Sequence, residues 1–202
     1  MKIKTVVIIN DFNYVQGGAS KVAIQTAKLL KNDGKEVYFF SATDNEESKI
    51  EGVKYISTFQ NEALKDKNKI RGFFNGIYNW KARKELSKLL DKLDRKETVI
   101  HIHGWTKALS SSVFDIAFNK KFKVVLTLHD YFSACPNGGY YNYVKNEICN
   151  LEPLSMKCIT CNCDSRNNMF KFYRIIRQFV QNNIVQINKK IKYAIRNIKF
   201  KH

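Results

Sequence analysis

Hydrophobic and polar positions alternate between short apolar runs and one-faced amphipathic stretches along most of the chain. Thr5-Val6-Val7-Ile8-Ile9 is a continuous apolar, β-branched run, the pattern of a strand buried on both faces of a parallel sheet. A polar loop, Asn10 to Gly18, follows it. Ser20 is placed to cap a helix by accepting a backbone N–H, and Val22, Ala23, Ala27 and Leu30 fall on one face of that helix. Gly34 suits the stop of the helix, where a left-handed residue is needed. Glu36 to Phe40 reads as a second strand, so the chain opens with a β-loop-α-β unit.

The alternation then repeats. Val53 to Ile56 predicts a short strand, and Lys69 to Leu93 a long helical stretch with Leu86, Leu89, Leu90 and Leu93 on one side. Thr98 to Ile102 predicts another buried strand, Thr106 to Phe118 a helix, and Lys123 to Leu128 a further strand. Strands alternating with helices imply right-handed crossovers. The predicted fold class is therefore α/β: a doubly wound, Rossmann-like, mostly parallel sheet flanked by helices. From Asp130 to Asn168 the pattern breaks into a long cysteine-containing loop, which needs a function or an internal staple. Met169 to Phe200 is again helical in character, basic and aromatic. The expected organisation is a Rossmann-like domain over 1–168, including the Cys loop 130–168, and a basic helical tail over 169–202.

Composition adds three constraints. With 202 residues, 44% hydrophobic, the chain has enough apolar material for one well-packed domain. The net charge is +17, and no acidic residue follows Asp164, so the tail is the basic part. Such a tail suits an anionic membrane surface or is a helix whose basic side is solvated. Nucleic-acid binding is disfavoured, because no His pair follows the cysteines to make a recognition-helix zinc finger. The apolar run Val6 to Ile9 is too short for a signal-peptide core, and no apolar run is long enough to span a membrane. The chain thus reads as cytoplasmic, peripheral at the inner membrane face if the tail binds lipid. Its five cysteines are then thiols or metal ligands rather than disulfides.

Four groups of residues carry candidate chemistry. Gly17-Gly18 follows the first strand and enters the first helix, where free N–H groups and the helix dipole suit phosphate. There is no G-x-G-x-x-G and no G-x-x-x-x-G-K-[ST], which disfavours a dinucleotide or P-loop site. In His101-Ile102-His103-Gly104-Trp105 the two imidazoles share one face of a strand. His103 stands near the carboxyl end as a cleft candidate, and His101 reads as a structural histidine. Leu128-His129-Asp130-Tyr131 follows another strand and reaches the same rim, offering an imidazole and a carboxylate suited to hydroxyl groups. Finally, Cys158-Ile159-Thr160-Cys161 has the spacing with which two thiolates grip one tetrahedral ion. Cys135 and Cys149 complete a four-thiolate set for structural zinc, with Cys163 spare or a substitute, the alternative being free thiols in an irregular loop.

Taken in order, Gly17-Gly18-Ala19 entering a helix, His-x-His-Gly-Trp at 101–105, Leu128-His129-Asp130-Tyr131 and Cys135-Pro136-Asn137-Gly138-Gly139 with spaced cysteines resemble the N-terminal domain of the family 4 retaining glycosyltransferases. Those enzymes have the two-Rossmann GT-B architecture, and the resemblance covers roughly residues 4–185. It implies transfer of a sugar from a nucleotide-diphosphate donor to a saccharide or lipid-linked acceptor, with polysaccharide biosynthesis a common setting. By it, Gly17 and Gly18 lie near the donor diphosphate, with His103 and Asp130 at the cleft. His129 is the catalytic-site residue that positions the donor sugar, and the first domain mainly holds the acceptor. No cofactor is implied for catalysis, so zinc at the cysteines would be structural. The family carries a Glu-x7-Glu pair in a second Rossmann domain, and this chain contains no acidic residue after Asp164. The expectation is little transfer by this chain unless a second Rossmann domain completes the cleft. A non-catalytic binding or scaffold half of a split transferase is the alternative.

Overall fold

The computed structural model describes residues 2–164 and 168–187. The chain packs as two units that divide between His129 and Asp130, so the cysteine segment and the helix after it form one unit. The basic segment 188–202, on which the anionic-membrane expectation chiefly rested, lies outside the described residues.

The first unit is an α/β sheet of five parallel strands. β1 (Thr5–Ile9), β2 (Glu36–Ser41), β3 (Lys54–Ser57), β4 (Thr98–Ile102) and β5 (Lys123–Leu126) are arranged in the order β3-β2-β1-β4-β5. The chain winds outward from β1 to β3, then returns to β4 on the other side of β1. The direction of winding therefore reverses between β1 and β4, the topological switch point of an open α/β sheet. This is the Rossmann-like arrangement expected from the alternating pattern.

Burial explains the apolar runs. Val7, Ile8 and Ile9 are fully buried, as are Phe39 and Phe40 of β2 and Ile100 and Ile102 of β4. Val6, Ile8, Val37 and Phe39 pack against Ala23 and Ala27 of α1 (Gly18–Asn32). Each large aliphatic side chain so removed from water contributes about 1.5–3 kcal/mol. Two alanines on the buried stripe of α1 let its backbone lie close to the sheet. Gly34, at φ 74°, ends the helix in the left-handed region as expected.

Three local readings need correction. Gly17, not Ser20, stands at the N-cap of α1. Ser20 sits in the first turn, and its hydroxyl accepts the N–H groups of Gln16 and Gly17 at 2.8 and 3.0 Å. The long helix expected over 69–93 is two helices, α2 (Lys69–Ile77) and α3 (Trp80–Leu90). The break is made by Asn79, whose Oδ1 caps α3 by accepting Ala82 N–H at 3.0 Å while its Nδ2 donates to Ala108 O at 2.8 Å. The helix expected from Thr106 begins later, as α4 (Ser112–Asn119). Residues 106–111 instead form a turn with Ser110 at φ 68°.

The second unit contains a two-residue antiparallel ribbon, β6 (Tyr141–Asn142) with β7 (Glu147–Ile148), a short helix α5 (Met156–Thr160), and the long helix α6 (Asn168–Ile187). Only Cys135, Pro136 and Tyr173 are buried apolar residues among the described residues of this unit. Its interior is polar: Asp164, Arg174, Arg177, Gln178 and Gln181 are buried. Arg174 pairs with Asp164 at 2.6 Å and also donates to Asn137. No described helix is long and apolar enough to cross a membrane.

Candidate functional site

All five strands of the sheet are parallel, so their carboxyl ends share one edge. At the switch point, His103 N–H donates to Ile9 O at 2.9 Å, carrying β4 alongside β1 past the last strand residue. Thr127 N–H donates to Ile102 O in the same way. His103 and His129, which sequence placed at two separate strand ends, meet there: His103 Nδ1 and His129 Nε2 are 3.2 Å apart. Their rings stack at 5.4 Å. His101 lies beside His103, ring centroids 4.2 Å apart, as expected for alternate strand positions. Its Nε2 is bonded to Thr127 Oγ1 at 2.8 Å, which makes it the structural member of the three.

The burial of His103 bears on its tautomer. His103 is buried, and its Nε2 has no hydrogen-bond partner. An unpaired buried N–H costs more than an unpaired ring lone pair, because the donor is the more polar group to desolvate. His103 therefore carries its proton on Nδ1 and donates it to His129 Nε2. Burial, then the neighbouring His101 and His129, hold the pKa of His103 down at about 3. Burial first and His129 second also lower that of His101.

A pH dependence follows. The folded-state pKa of His103 lies below its ordinary value of 6.5, so its neutral form favours the folded state. That contribution is complete above the ordinary value and is lost as pH falls from about 6.5 towards about 3. The stability of the sheet unit is expected to fall in this window by up to about 1.4 kcal/mol per pH unit from this residue. Urea unfolding across the window should show that slope, and His103→Gln should remove most of it. Equal slopes in both proteins would contradict the assignment.

Gly17 and Gly18 begin α1 on the same edge, after the loop leaving β1. No acidic residue occupies the first turn of the helix. A Cβ built on either glycine meets nothing within 4 Å, so both face open space rather than packing. Gly104, next to His103, is different: a Cβ there would stand 2.6 Å from Asn10 Oδ1. The absence of a side chain at Gly104 leaves room for the Asn10 side chain just past the end of β1.

The sequence reading missed Asp11. This carboxylate is buried and lies one residue past Asn10 at the end of β1. Its Oδ1 accepts Ala108 and Leu109 N–H, each at 2.9 Å, and its Oδ2 accepts Lys107 N–H at 3.0 Å. Burial pushes the carboxyl above its ordinary range while those three amides pull it back. Asp11 thereby shapes the loop after His103. Asp130 belongs to the second unit, where its carboxylate accepts Phe132 N–H at 3.0 Å.

Within the second unit, all five cysteines, expected as four ligands and a spare, line one cavity of about 30 Å³ together with Lys171 and Arg174. Each is a free thiol. Burial raises the Cys158 thiol, and burial with its hydrogen bond to Cys163 raises Cys161 to about 11. As the side chains stand, no three His, Cys, Asp or Glu groups among the described residues converge to hold a metal ion.

The fold and its edge thus define an α/β, Rossmann-like sheet domain with paired imidazoles at its switch point. No family model and no curated protein matches the chain. Solved structures similar to it include two of larger proteins. One, described as LpCGTa in complex with UDP, shares 13% identity with a TM-score of 0.46 over 88% of this chain and 43% of its own. The other is a D-isomer specific 2-hydroxyacid dehydrogenase from Lactobacillus delbrueckii ssp. bulgaricus in its NAD complexed form. It shares 10% identity with a TM-score of 0.33 over 92% of this chain and 53% of its own. The chain therefore spans about half or less of either protein, and at this level of likeness no functional argument rests on them.

Proposed function

We propose that this chain is the acceptor-side, N-terminal Rossmann-like domain of a nucleotide-sugar-dependent glycosyltransferase of the GT-B, family 4 type. In this reading it transfers sugar when a second Rossmann domain completes the cleft. The observation that carries the reading is the His103–His129 contact of 3.2 Å at the carboxyl edge, the edge where open α/β sheets bind ligands. A dehydrogenase reading has less support, because no G-x-G-x-x-G follows β1.

The chemistry assigned to each residue follows from its setting. His103, neutral and buried, is a positioning residue: it holds His129 with Nδ1–H as a donor. His129 then donates to a hydroxyl of the bound sugar and orients its anomeric carbon. Gly17 and Gly18, open on their Cβ side, admit a diphosphate close to the N-terminus of α1. Positioning of this kind lowers the barrier by holding both reactants in a reactive geometry. No metal is assigned a part in the transfer.

The test is sugar transfer by an enzyme in which this domain is joined to a donor-binding Rossmann domain. His129→Ala is expected to lower kcat by about 100-fold, the loss typical of a removed transition-state donor, with the circular dichroism unchanged. An unaltered rate would remove His129 from the site.

A further inference from the structure

We infer that the thiol cavity of the second unit is a structural zinc site in which Cys135, Cys149 and Cys158 supply three thiolates and the Cys161/Cys163 pair supplies the fourth. This stands apart from the transferase reading and concerns how the second unit folds.

Two independent observations carry it. The first is convergence. The five thiols come from three separate stretches of chain, at Cys135, at Cys149 and over Cys158–Cys163, yet every one lines the same small cavity. Backbone bonds hold each stretch there. Cys135 N–H donates to Tyr131 O at 2.7 Å, and Cys149 N–H to Tyr140 O at 2.7 Å. Cys158 N–H donates to Ser155 Oγ at 3.2 Å, and Cys163 O accepts Tyr143 N–H at 2.8 Å. The second observation is the missing apolar core. With only Cys135, Pro136 and Tyr173 as buried apolar residues among those described in this unit, hydrophobic burial contributes little. Units of this size with so little core need a staple.

The cavity suits an ion better than an organic ligand. A volume of about 30 Å³ holds a guest of about the size of a water molecule or two. Four soft sulfur donors without a carboxylate among the lining residues select zinc over calcium or magnesium. Binding displaces four thiol protons to solvent and places a zinc ion with four thiolates, a net double negative charge. Lys171 and Arg174 of α6 line the same cavity and offset that charge. Lys171 Nζ also bonds Cys161 O, which ties the helix to the ligand loop. As the side chains stand, the sulfurs line the cavity wall without converging on one point, so binding requires four of them to turn inward. The binding energy then becomes folding energy for the whole segment.

The test uses the full chain, purified under reducing conditions from zinc-supplemented growth. The expected result is one zinc per chain, a single fast-reacting thiol in the native protein, and a lower melting temperature after removal of zinc by a chelator under reducing conditions. Cobalt added to the stripped chain should give sulfur-to-cobalt charge-transfer bands of a tetrahedral thiolate site. Cys158→Ser should abolish stoichiometric binding, as should Cys161→Ser combined with Cys163→Ser. Loss in only one of the single variants Cys161→Ser and Cys163→Ser identifies the fourth ligand and supports the site. The cobalt spectrum of the unaltered chain keeps the test valid if a variant fails to fold. The inference is overturned by less than a tenth of an equivalent of zinc with all five thiols reactive, by disulfides in the reduced preparation, or by full binding in the double variant.

Discussion

Asp11→Ala is expected to destabilise the sheet unit by about 3–5 kcal/mol, since two buried amides and one part-buried amide lose their acceptor at once and each unsatisfied buried donor costs roughly 1–3 kcal/mol before water relieves part of it. The donors are Lys107, Ala108 and Leu109 N–H, at 2.9–3.0 Å from the carboxylate. No other acceptor is shown for these three amides, so the loop after β4 loses its anchor. Asp11→Asn should fall between, because one oxygen remains while the new amide N–H₂ faces a donor. Urea unfolding followed by circular dichroism measures both. The loop carries the chain out of His103, so the His103–His129 contact should loosen in the same variants. An unchanged midpoint for Asp11→Ala would mean that residues 107–109 are held by something other than this carboxylate.

Asp164→Ala is expected to have a comparable effect on the second unit. The side chains of Asp164 and Arg174 are 8% and 5% exposed and bonded at 2.6 Å. Removing the carboxylate leaves a guanidinium buried with Asn137 and the ring of Phe170, 4.8 Å away. Breaking a buried pair from one side costs about 3–5 kcal/mol, whereas replacing both partners by apolar groups of similar volume is often close to neutral. The double variant Asp164→Leu with Arg174→Met should therefore recover much of the loss. Hydrogen exchange of α6 amides reads the effect locally. Faster exchange in the single variant and partial return in the double variant is the expected pattern. Equal exchange in all three proteins would show that the pair does not hold α6.

Much of the sheet was legible because its signal is local. Val6 to Ile9 is apolar at every position since both faces of β1 are covered, and the alternation of strands and helices gave the parallel order its plausibility. The rims of the strands were legible for the same reason: His103 and His129 each end an apolar run. What sequence could not reveal was set at a distance. Asn79 splits the helix expected over 69–93, but it does so through Ala108 and Ser110, about thirty residues away. The turn at 106–111 is held by Asp11, which is 97 residues from Ala108 along the chain. Nothing in the local pattern distinguishes Asp11 from any other polar residue after a strand. A carboxylate just beyond a both-face-buried strand was the one available signal. Ser20 was read as a cap because its side chain does satisfy backbone N–H groups there, though from inside the helix. The cysteine segment offered spacing without periodicity, so its ribbon β6–β7 and helix α5 had no hydrophobic repeat to announce them.

The central claim is that the carboxyl edge of the sheet, between β1 and β4, is a ligand cleft. The most direct measurement is a titration of nitrogen-labelled protein with a nucleoside-diphosphate sugar and a saccharide acceptor, following backbone amides and imidazole nitrogens. The largest shifts are expected on Gly17, Gly18, His103 and His129. Shifts centred on the opposite edge, at Lys35 and Glu97, with the two histidines unmoved, would contradict it.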